Sequence, residues 1–178
     1  MTTEADHPVR KTVRLSAESY KQRVAYFVTV CTHEKQCLLS VLQGQSINLT
    51  KHGDIVRAAW LDLPNRFAGL ELDEYVVMPN HLHGILRFVG AGLARPSSAT
   101  KPGNELSLPN VMRIFKSVST VEMNRALRTP GFVLWQRSYF DHIIRDGEDM
   151  LNHQRYLLEN PARWAAKQST FRPGSSLK

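Results

Sequence analysis

The stretch from Met78 to Phe88 reads MPNHLHGILRF, and the interpretation of the whole chain depends on it. Side chains alternate between the two faces of a β-strand, so His81 and His83 point to one face and Leu82 to the other. The Pro-Asn pair just before them is typical of a turn. The pattern therefore predicts a strand that packs its leucine face in a core and presents two adjacent imidazoles on its other face.

Two adjacent imidazoles can bind one divalent cation, but a divalent ion needs at least one further ligand. The spacing of His81 and His83 is also compatible with two exposed strand histidines that bind nothing. A third group is therefore needed to decide between these two interpretations.

A later segment, predicted as a helix from Asp146 to about Glu159, offers such a group. Residues that recur at helical spacing divide it into an apolar stripe and a polar stripe. The apolar stripe holds Met150, Leu151, Leu157 and Leu158, and the polar stripe holds Asp149, Asn152, His153, Tyr156 and Asn160. Tyr156 and Asn160 share a face one turn apart, so a phenol and an amide oxygen could approach the histidine pair together.

Other roles for these two residues stay open at this point. Tyr156 is equally compatible with a surface aromatic residue. Asn160 directly precedes Pro161, and Asn-Pro is well suited to cap a following helix. The two roles of Asn160 are compatible with each other.

Composition places few other limits on function. The chain has 178 residues, 42% of them hydrophobic, which suits one soluble domain with a real core. It has no apolar run long enough to cross a bilayer and no signal-peptide pattern, so we expect a cytoplasmic protein. Cys31 and Cys37 suggest free thiols. The net charge of +7, with basic clusters near both ends, favours an anionic partner such as nucleic acid.

Periodicity and turn residues predict the order β-α-β-β-α-β followed by a helical pair. We expect an α+β, ferredoxin-like (RRM-like) fold with an antiparallel sheet of four to five strands, helices on one face and the other face free for a ligand. The predicted strands are 25–31, 72–78, 81–88 and 132–144, with a connecting loop at 33–44. The predicted helices are 50–64, capped by Thr50 and ended by Pro64, then 109–128, and 146–159, ended by Asn160-Pro161. Gln154 is the exception to the pattern, because it falls in the apolar stripe of the last of these helices. A single domain would span 1–178, with a basic arm at 1–22, a flexible loop at 89–109 and a basic tail at 165–178.

Several motifs in a fixed order resemble those of a known family. The motifs are YVVMPNHLH at 75–83, WQRSYFDHIIR at 135–145 and YLLENP at 156–161. The chain resembles the REP-associated tyrosine transposases, which belong to the IS200-like HUH single-strand transposases, over residues 25–164. The resemblance implies an HUH histidine pair on the sheet and a catalytic tyrosine on the C-terminal helix.

The same resemblance implies a reaction and its residues. Tyr156 would be the nucleophile, and His81, His83 and Asn160 would hold Mg²⁺ or Mn²⁺. Relatives often have Gln at the last of these positions. The enzyme would cleave and rejoin single-stranded DNA at REP hairpins through a 5′-phosphotyrosine bond. Candidate DNA contacts are Arg10, Lys11, Arg14, Arg87 and Lys116, and Lys116 is also a candidate partner for the tyrosine proton.

Two other functions remain to be compared with this one. A descendant that binds DNA hairpins without cutting them would carry the same motifs. A histidine-triad-like phosphoester hydrolase would also place histidines at alternate strand positions, but it needs a third one where this chain has Ile85. Tyr139 is a rival nucleophile that we expect to be packed, His142 has no assigned role, and both a monomer and a homodimer are compatible with the sequence.

Overall fold

The computed structural model describes residues 24–44, 46–89 and 106–170. Its strands are β1 (Val24–Cys31), β2 (Ser40–Gln43), β3 (Ser46–Leu49), β4 (Leu70–Met78), β5 (His81–Phe88) and β6 (Phe140–Ile144). Its helices are α1 (Lys51–Leu61), α2 (Leu63–Arg66), α3 (Leu108–Leu127) and α4 (Gly147–Thr170), with a short 3₁₀ turn at His33–Lys35.

The main sheet is antiparallel, with the strand order β4-β5-β1-β6. This is the predicted α+β, ferredoxin-like arrangement, and β5 has the predicted bounds. Thr50 caps α1 as predicted, because its hydroxyl accepts a hydrogen bond from the Gly53 N–H at 3.2 Å.

One face of the sheet carries the main core. Val28 and Val30 of β1 and Leu82 and Leu86 of β5 are fully buried there under α1 and α3. Gly84 lies on the same face, and a Cβ at this position would be only 2.4 Å from the Trp60 ring of α1. Only glycine leaves room for this indole, which packs directly on the strand that carries the histidines.

The opposite face is not free, and this part of the prediction was wrong. Helix α4 lies across it, and Leu157 packs in a second buried cluster with Phe27, Ile85 and Ile144. The predicted apolar stripe of α4 is divided, because Met150 and Leu157 pack toward the sheet whereas Leu151 and Leu158 are exposed. Residues 150, 153, 157 and 160 recur at helical spacing and therefore share one side of α4. Two of them come from the predicted apolar stripe and two from the predicted polar stripe.

Proline positions account for two further differences. Pro161 was expected to end a helix, yet α4 continues through it to Thr170, so Asn160 is not the cap of a second helix. A proline inside a helix removes one hydrogen bond, and packing on the sheet offsets that loss. Pro64 begins the short helix α2 rather than ending α1, because the first turn of a helix does not need the missing N–H.

Two strand predictions also change. Residues 33–44 were expected to be a loop, but β2 and β3 form a small hairpin at its end. The strand predicted over 132–144 is shorter, because only Phe140–Ile144 pairs with β1, and Trp135 makes an isolated bridge with Thr32.

Some predictions fall outside the described residues. These are the basic arm with Arg10, Lys11 and Arg14, most of the loop at 89–109 and the end of the basic tail. The start of that tail belongs to α4, which reaches Thr170. Within the described ranges, no helix is long and apolar enough to span a membrane.

Candidate active site

The predicted histidine pair lies on the face of the sheet that α4 covers. His81 and His83 project from β5 with ring centroids 4.4 Å apart. Leu82, which separates them in the sequence, points to the opposite face and into the main core. His83 is 6% exposed. The strand pattern thus places the two imidazoles side by side, as predicted.

The orientation of His81 follows from a hydrogen bond to its neighbour. The Asn80 amide nitrogen donates to the Lys35 carbonyl at 3.2 Å, so the Asn80 Oδ1 atom faces the His81 Nδ1 atom, 2.7 Å away. An amide oxygen only accepts, so Nδ1 of His81 must carry the proton. The lone pair of His81 is therefore on Nε2, the nitrogen left for a cation.

His83 is held by its partner across the sheet. Thr29 pairs with His83 in the β1–β5 register, and its hydroxyl is hydrogen-bonded to His83 Nδ1 at 2.7 Å. The hydroxyl can accept from Nδ1–H, which again leaves Nε2 free. Phe27 stacks on the same ring with centroids 5.3 Å apart.

Both imidazoles are neutral near pH 7. Burial lowers the pKa of His81 to about 4, and the positive charge of Lys35 adds to this effect. Burial lowers the pKa of His83 to about 3, with a contribution from His81. A neutral imidazole is the form that binds a metal ion, so the pair fits a divalent cation without losing protons first.

Tyr156 of α4 lies against the histidine pair. Its ring centroid is 5.4 Å from that of His83 and 5.9 Å from that of Phe27. The tyrosine is 37% exposed, so it is open to a ligand on one side.

Two clefts of about 440 and 450 Å³ meet at Tyr156, which lines both. The first also contains His83, Thr29 and the exposed Phe140. The second contains His81 and the predicted third ligand, Asn160, which is 6% exposed. The four residues singled out in the sequence therefore line two clefts that share Tyr156.

Basic and aromatic residues complete the second cleft. The Arg163 guanidinium lies 5.7 Å from the centroid of the Tyr156 ring and forms an ion pair with Glu159 at 2.7 Å. The Trp164 ring is 5.6 Å from that of His81, and Lys167 lines the same cleft. A negatively charged ligand in this cleft would therefore face positive charge next to the tyrosine.

A second group of potential ligands lies at the start of α4. His142 of β6 and His153 of α4 both contact the Asp149 carboxylate, at 3.0 and 3.1 Å. The nitrogen and oxygen atoms of the three residues all lie within 4.8 Å of one another, so this group could hold a metal ion. Hydrogen bonds to His142 lower the pKa of Asp149, with a smaller contribution from the Arg145 N–H.

The other predicted site residues lie elsewhere. The Lys116 ammonium donates to the carbonyls of Gln136, Arg137 and Ser138 at 2.7 to 3.1 Å, and burial lowers its pKa. It therefore supports the loop before β6. Arg87 faces two carboxylates of β4, each at 3.8 Å. Tyr139 is half-buried against the main core, as expected.

Sequence reasoning missed the residues that orient the site. Thr29 and Asn80 hold the imidazoles, and Gln154, which disturbed the apolar stripe, donates to Asp73 of β4 at 2.7 Å. The position of Thr29 follows from the strand register once β1 and β5 are paired. Gln154 was visible as a polar residue in the apolar stripe, but its partner is 81 positions away. Asn80 was interpreted only as part of a turn, although it contacts the adjacent His81.

Comparison with known proteins assigns the fold and the family. A REP-associated tyrosine transposase, solved bound to a REP hairpin, superposes with a TM-score of 0.54 and 20% identity over 79% of this chain and 68% of that one. The protein thus shares the fold of this transposase. A structure described as a transposase candidate from Deinococcus radiodurans covers 79% of this chain and 92% of its own, with 22% identity and a TM-score of 0.49.

No family model matches the sequence. An uncharacterised protein of Haemophilus influenzae is 31% identical over an alignment of 178 positions, which covers 94% of this chain and 98% of that protein. The chain belongs to the same family as this relative.

Proposed function

We propose that the protein is a metal-dependent transposase that cleaves and rejoins single-stranded DNA at hairpin-forming, REP-like sequences. The observation that carries this proposal is the contact between the Tyr156 and His83 rings, beside a cleft that also holds His81 and Asn160. A phenol can act as a nucleophile, and neutral imidazoles beside it can bind an ion that activates the phosphate. The shared fold with a transposase solved on a REP hairpin agrees with this proposal.

Tyr156 would act as the nucleophile. Its phenolic oxygen attacks the scissile phosphorus, the bond to the 3′ oxygen breaks, and a 5′-phosphotyrosine forms. The phenolic proton passes to solvent and the departing 3′ oxygen takes a proton from solvent. The phosphotyrosine bond keeps the energy of the broken bond, so the 3′-hydroxyl of a second DNA end can reverse the step and complete strand transfer.

His81, His83 and Asn160 would hold Mg²⁺ or Mn²⁺. A bound ion neutralises charge on the scissile phosphate and orients it. Asn80 keeps His81 in the ligand tautomer, because its amide oxygen only accepts from Nδ1–H. Thr29 would do the same for His83 when its hydroxyl accepts from Nδ1–H. The buried Asn160 amide supplies an oxygen donor on the same cleft.

Positive charge at the second cleft would bind the DNA backbone. Arg163 lies over the Tyr156 ring, so its charge stabilises the phenolate that forms during attack. Lys167 lines the same cleft, and Lys35 is exposed near His81. The basic residues Arg10, Lys11 and Arg14 would extend these contacts along the hairpin.

A covalent-complex assay tests the proposal. Single-stranded REP-type hairpin DNA is incubated with the protein and Mn²⁺ and separated on a denaturing gel. We expect a DNA-linked band that disappears with Tyr156→Phe and with His83→Ala but persists with Tyr139→Phe, which removes a hydroxyl from the packed tyrosine.

Each other outcome contradicts the proposal in its own way. Tight hairpin binding without cleavage would identify a binding protein. Cleavage without a covalent band would identify a hydrolase, and a band that survives Tyr156→Phe would move the nucleophile to another residue.

A further inference from the structure

The start of α4 holds a group of metal-binding side chains that the proposed reaction does not use. His142 lies on the edge strand β6, and Asp149 and His153 lie in the first two turns of α4. We propose that these three residues form a second divalent-cation site, separate from His81 and His83, that clamps α4 to β6.

Two of the three distances match those between ligands of one ion, with a different Asp149 oxygen facing each imidazole. Asp149 Oδ2 is 3.0 Å from His142 Nε2, and Asp149 Oδ1 is 3.1 Å from His153 Nδ1. Ligand atoms about 2.1 Å from one ion at tetrahedral or octahedral angles are about 3.0–3.4 Å apart. The remaining distance, between the two imidazole nitrogens, is at most 4.8 Å, so closure requires a shift of the His142 and His153 rings.

The protonation of the group is compatible with binding. In the metal-free chain each imidazole N–H faces the Asp149 carboxylate, and His153 Nδ1 also contacts the Asp149 carbonyl at 2.8 Å. Binding moves each proton to the other nitrogen of its ring, so that a lone pair faces the ion. The side chains are 21 to 37% exposed, which leaves the ion a path from solvent.

The ligand types select the ion. Two imidazoles and one carboxylate suit zinc and similar transition-metal ions, whereas Mg²⁺ and Ca²⁺ prefer oxygen ligands. We therefore assign a zinc-class ion to this site.

The position of the group gives the ion a structural consequence. Phe27 pairs with His142 in the sheet, and the His153 ring is 4.7 Å from the Phe27 ring. His153 also lies one turn before Tyr156 and lines the first cleft with it. An ion bound by β6 and α4 together would therefore restrict the helix that carries Tyr156.

Metal binding by the purified full chain tests the proposal without any DNA reaction. Zn²⁺ affinity is measured by calorimetry, and Co²⁺ is used as an absorbing probe, in a His81→Ala/His83→Ala background that lacks the first pair. We expect this variant to bind one equivalent. Adding either His142→Ala or His153→Gln removes one proposed ligand and should weaken Zn²⁺ binding on the order of 100-fold or more. The expected loss is large because a ligand contributes more to affinity than an outer-shell partner does.

The controls keep the result interpretable. His33→Ala removes an exposed histidine that is not part of the cluster and should leave binding unchanged. Circular dichroism checks that each variant is folded, and Zn²⁺ should raise the Tm of the background variant but not of the His142→Ala variant. The proposal is overturned if the background variant binds no Zn²⁺, or if adding both His142→Ala and His153→Gln changes neither affinity nor the Tm shift.

Discussion

The Tyr156 ring lies 5.4 Å from the ring of His83 in the same chain, although 73 positions separate the two residues. Helix α4 brings them together because Leu157, the next residue, is buried against Phe27, Ile85 and Ile144 of the sheet. A core contact one residue away therefore positions the proposed nucleophile.

Stability should decrease in acid because of the buried histidines. The folded-state pKa values of His81 and His83 are about 4 and about 3, well below 6.5. Below pH 6.5 the unfolded chain binds protons that the folded chain does not, so the free energy of unfolding falls as pH drops toward 4. The slope should approach about 1.4 kcal/mol per pH unit for each histidine.

Urea unfolding at several pH values in EDTA measures this slope. His81→Gln/His83→Gln should flatten it, and His33→Gln, an exposed control, should not. An unchanged slope in the double variant would show that the buried pair is not its source.

The Asn80 side chain should affect metal binding without touching the ion. Asn80→Ala removes the acceptor that holds the proton on His81 Nδ1, and loss of such an outer-shell partner typically costs about 10–100-fold in affinity. Asn80→Asp keeps an acceptor and should retain binding. Mn²⁺ affinity is measured in a His142→Ala background, so that only the site at His81 and His83 contributes. If adding Asn80→Ala to this background leaves the affinity unchanged, Asn80 does not support metal binding.

The glycine beside the histidines should be needed for packing. Gly84→Ala places a Cβ 2.4 Å from the Trp60 ring, and overpacking of this kind costs about 1–3 kcal/mol. Gly147→Ala is the matched control, since a Cβ there meets nothing within 4 Å. Urea unfolding compares the two, and Trp60→Leu should reduce the cost of Gly84→Ala. Equal stabilities of the two alanine variants would contradict the contact.

Lys116 should act as a structural residue. Its ammonium binds three successive carbonyls before β6, so Lys116→Met should lower the free energy of unfolding by about 1–2 kcal/mol. Lys51→Met, at an exposed position, should change it by less than about 0.5 kcal/mol. If Lys116→Met is as stable as the parent and loses only DNA binding, the residue contacts DNA instead.

Local patterns predicted the parts of this molecule that depend on near neighbours. The alternation along β5 was enough to place His81 and His83 on one face, and the Thr50 cap and the helix after it followed from residues within one turn. The approach of Tyr156 and Asn160 to the histidines was expected, but the packing of α4 on the sheet was missed, because α4 meets the sheet with a surface that mixes Leu157 with His153 and Asn160. Hydrophobic periodicity alone assigns such residues to different faces.

Long-range hydrogen bonds were invisible for a different reason. The Asn80 amide donates to the Lys35 carbonyl, 45 positions earlier in the chain. The Gln154 amide donates to the Asp73 carboxylate, 81 positions earlier. Neither partner can be inferred from spacing. Pro161 was misleading, because its helix-breaking tendency is real but smaller than the packing energy of the helix around it.

The contact between Gly84 and Trp60 also limits how this family can evolve. The two residues lie on separate elements and carry no chemistry, yet neither can change freely while the other stays. A relative with a side chain at the position of Gly84 should have a smaller residue at the position of Trp60, as a paired substitution. Such pairs would mark lineages in which the strand beneath the histidines was repacked and the imidazoles were kept.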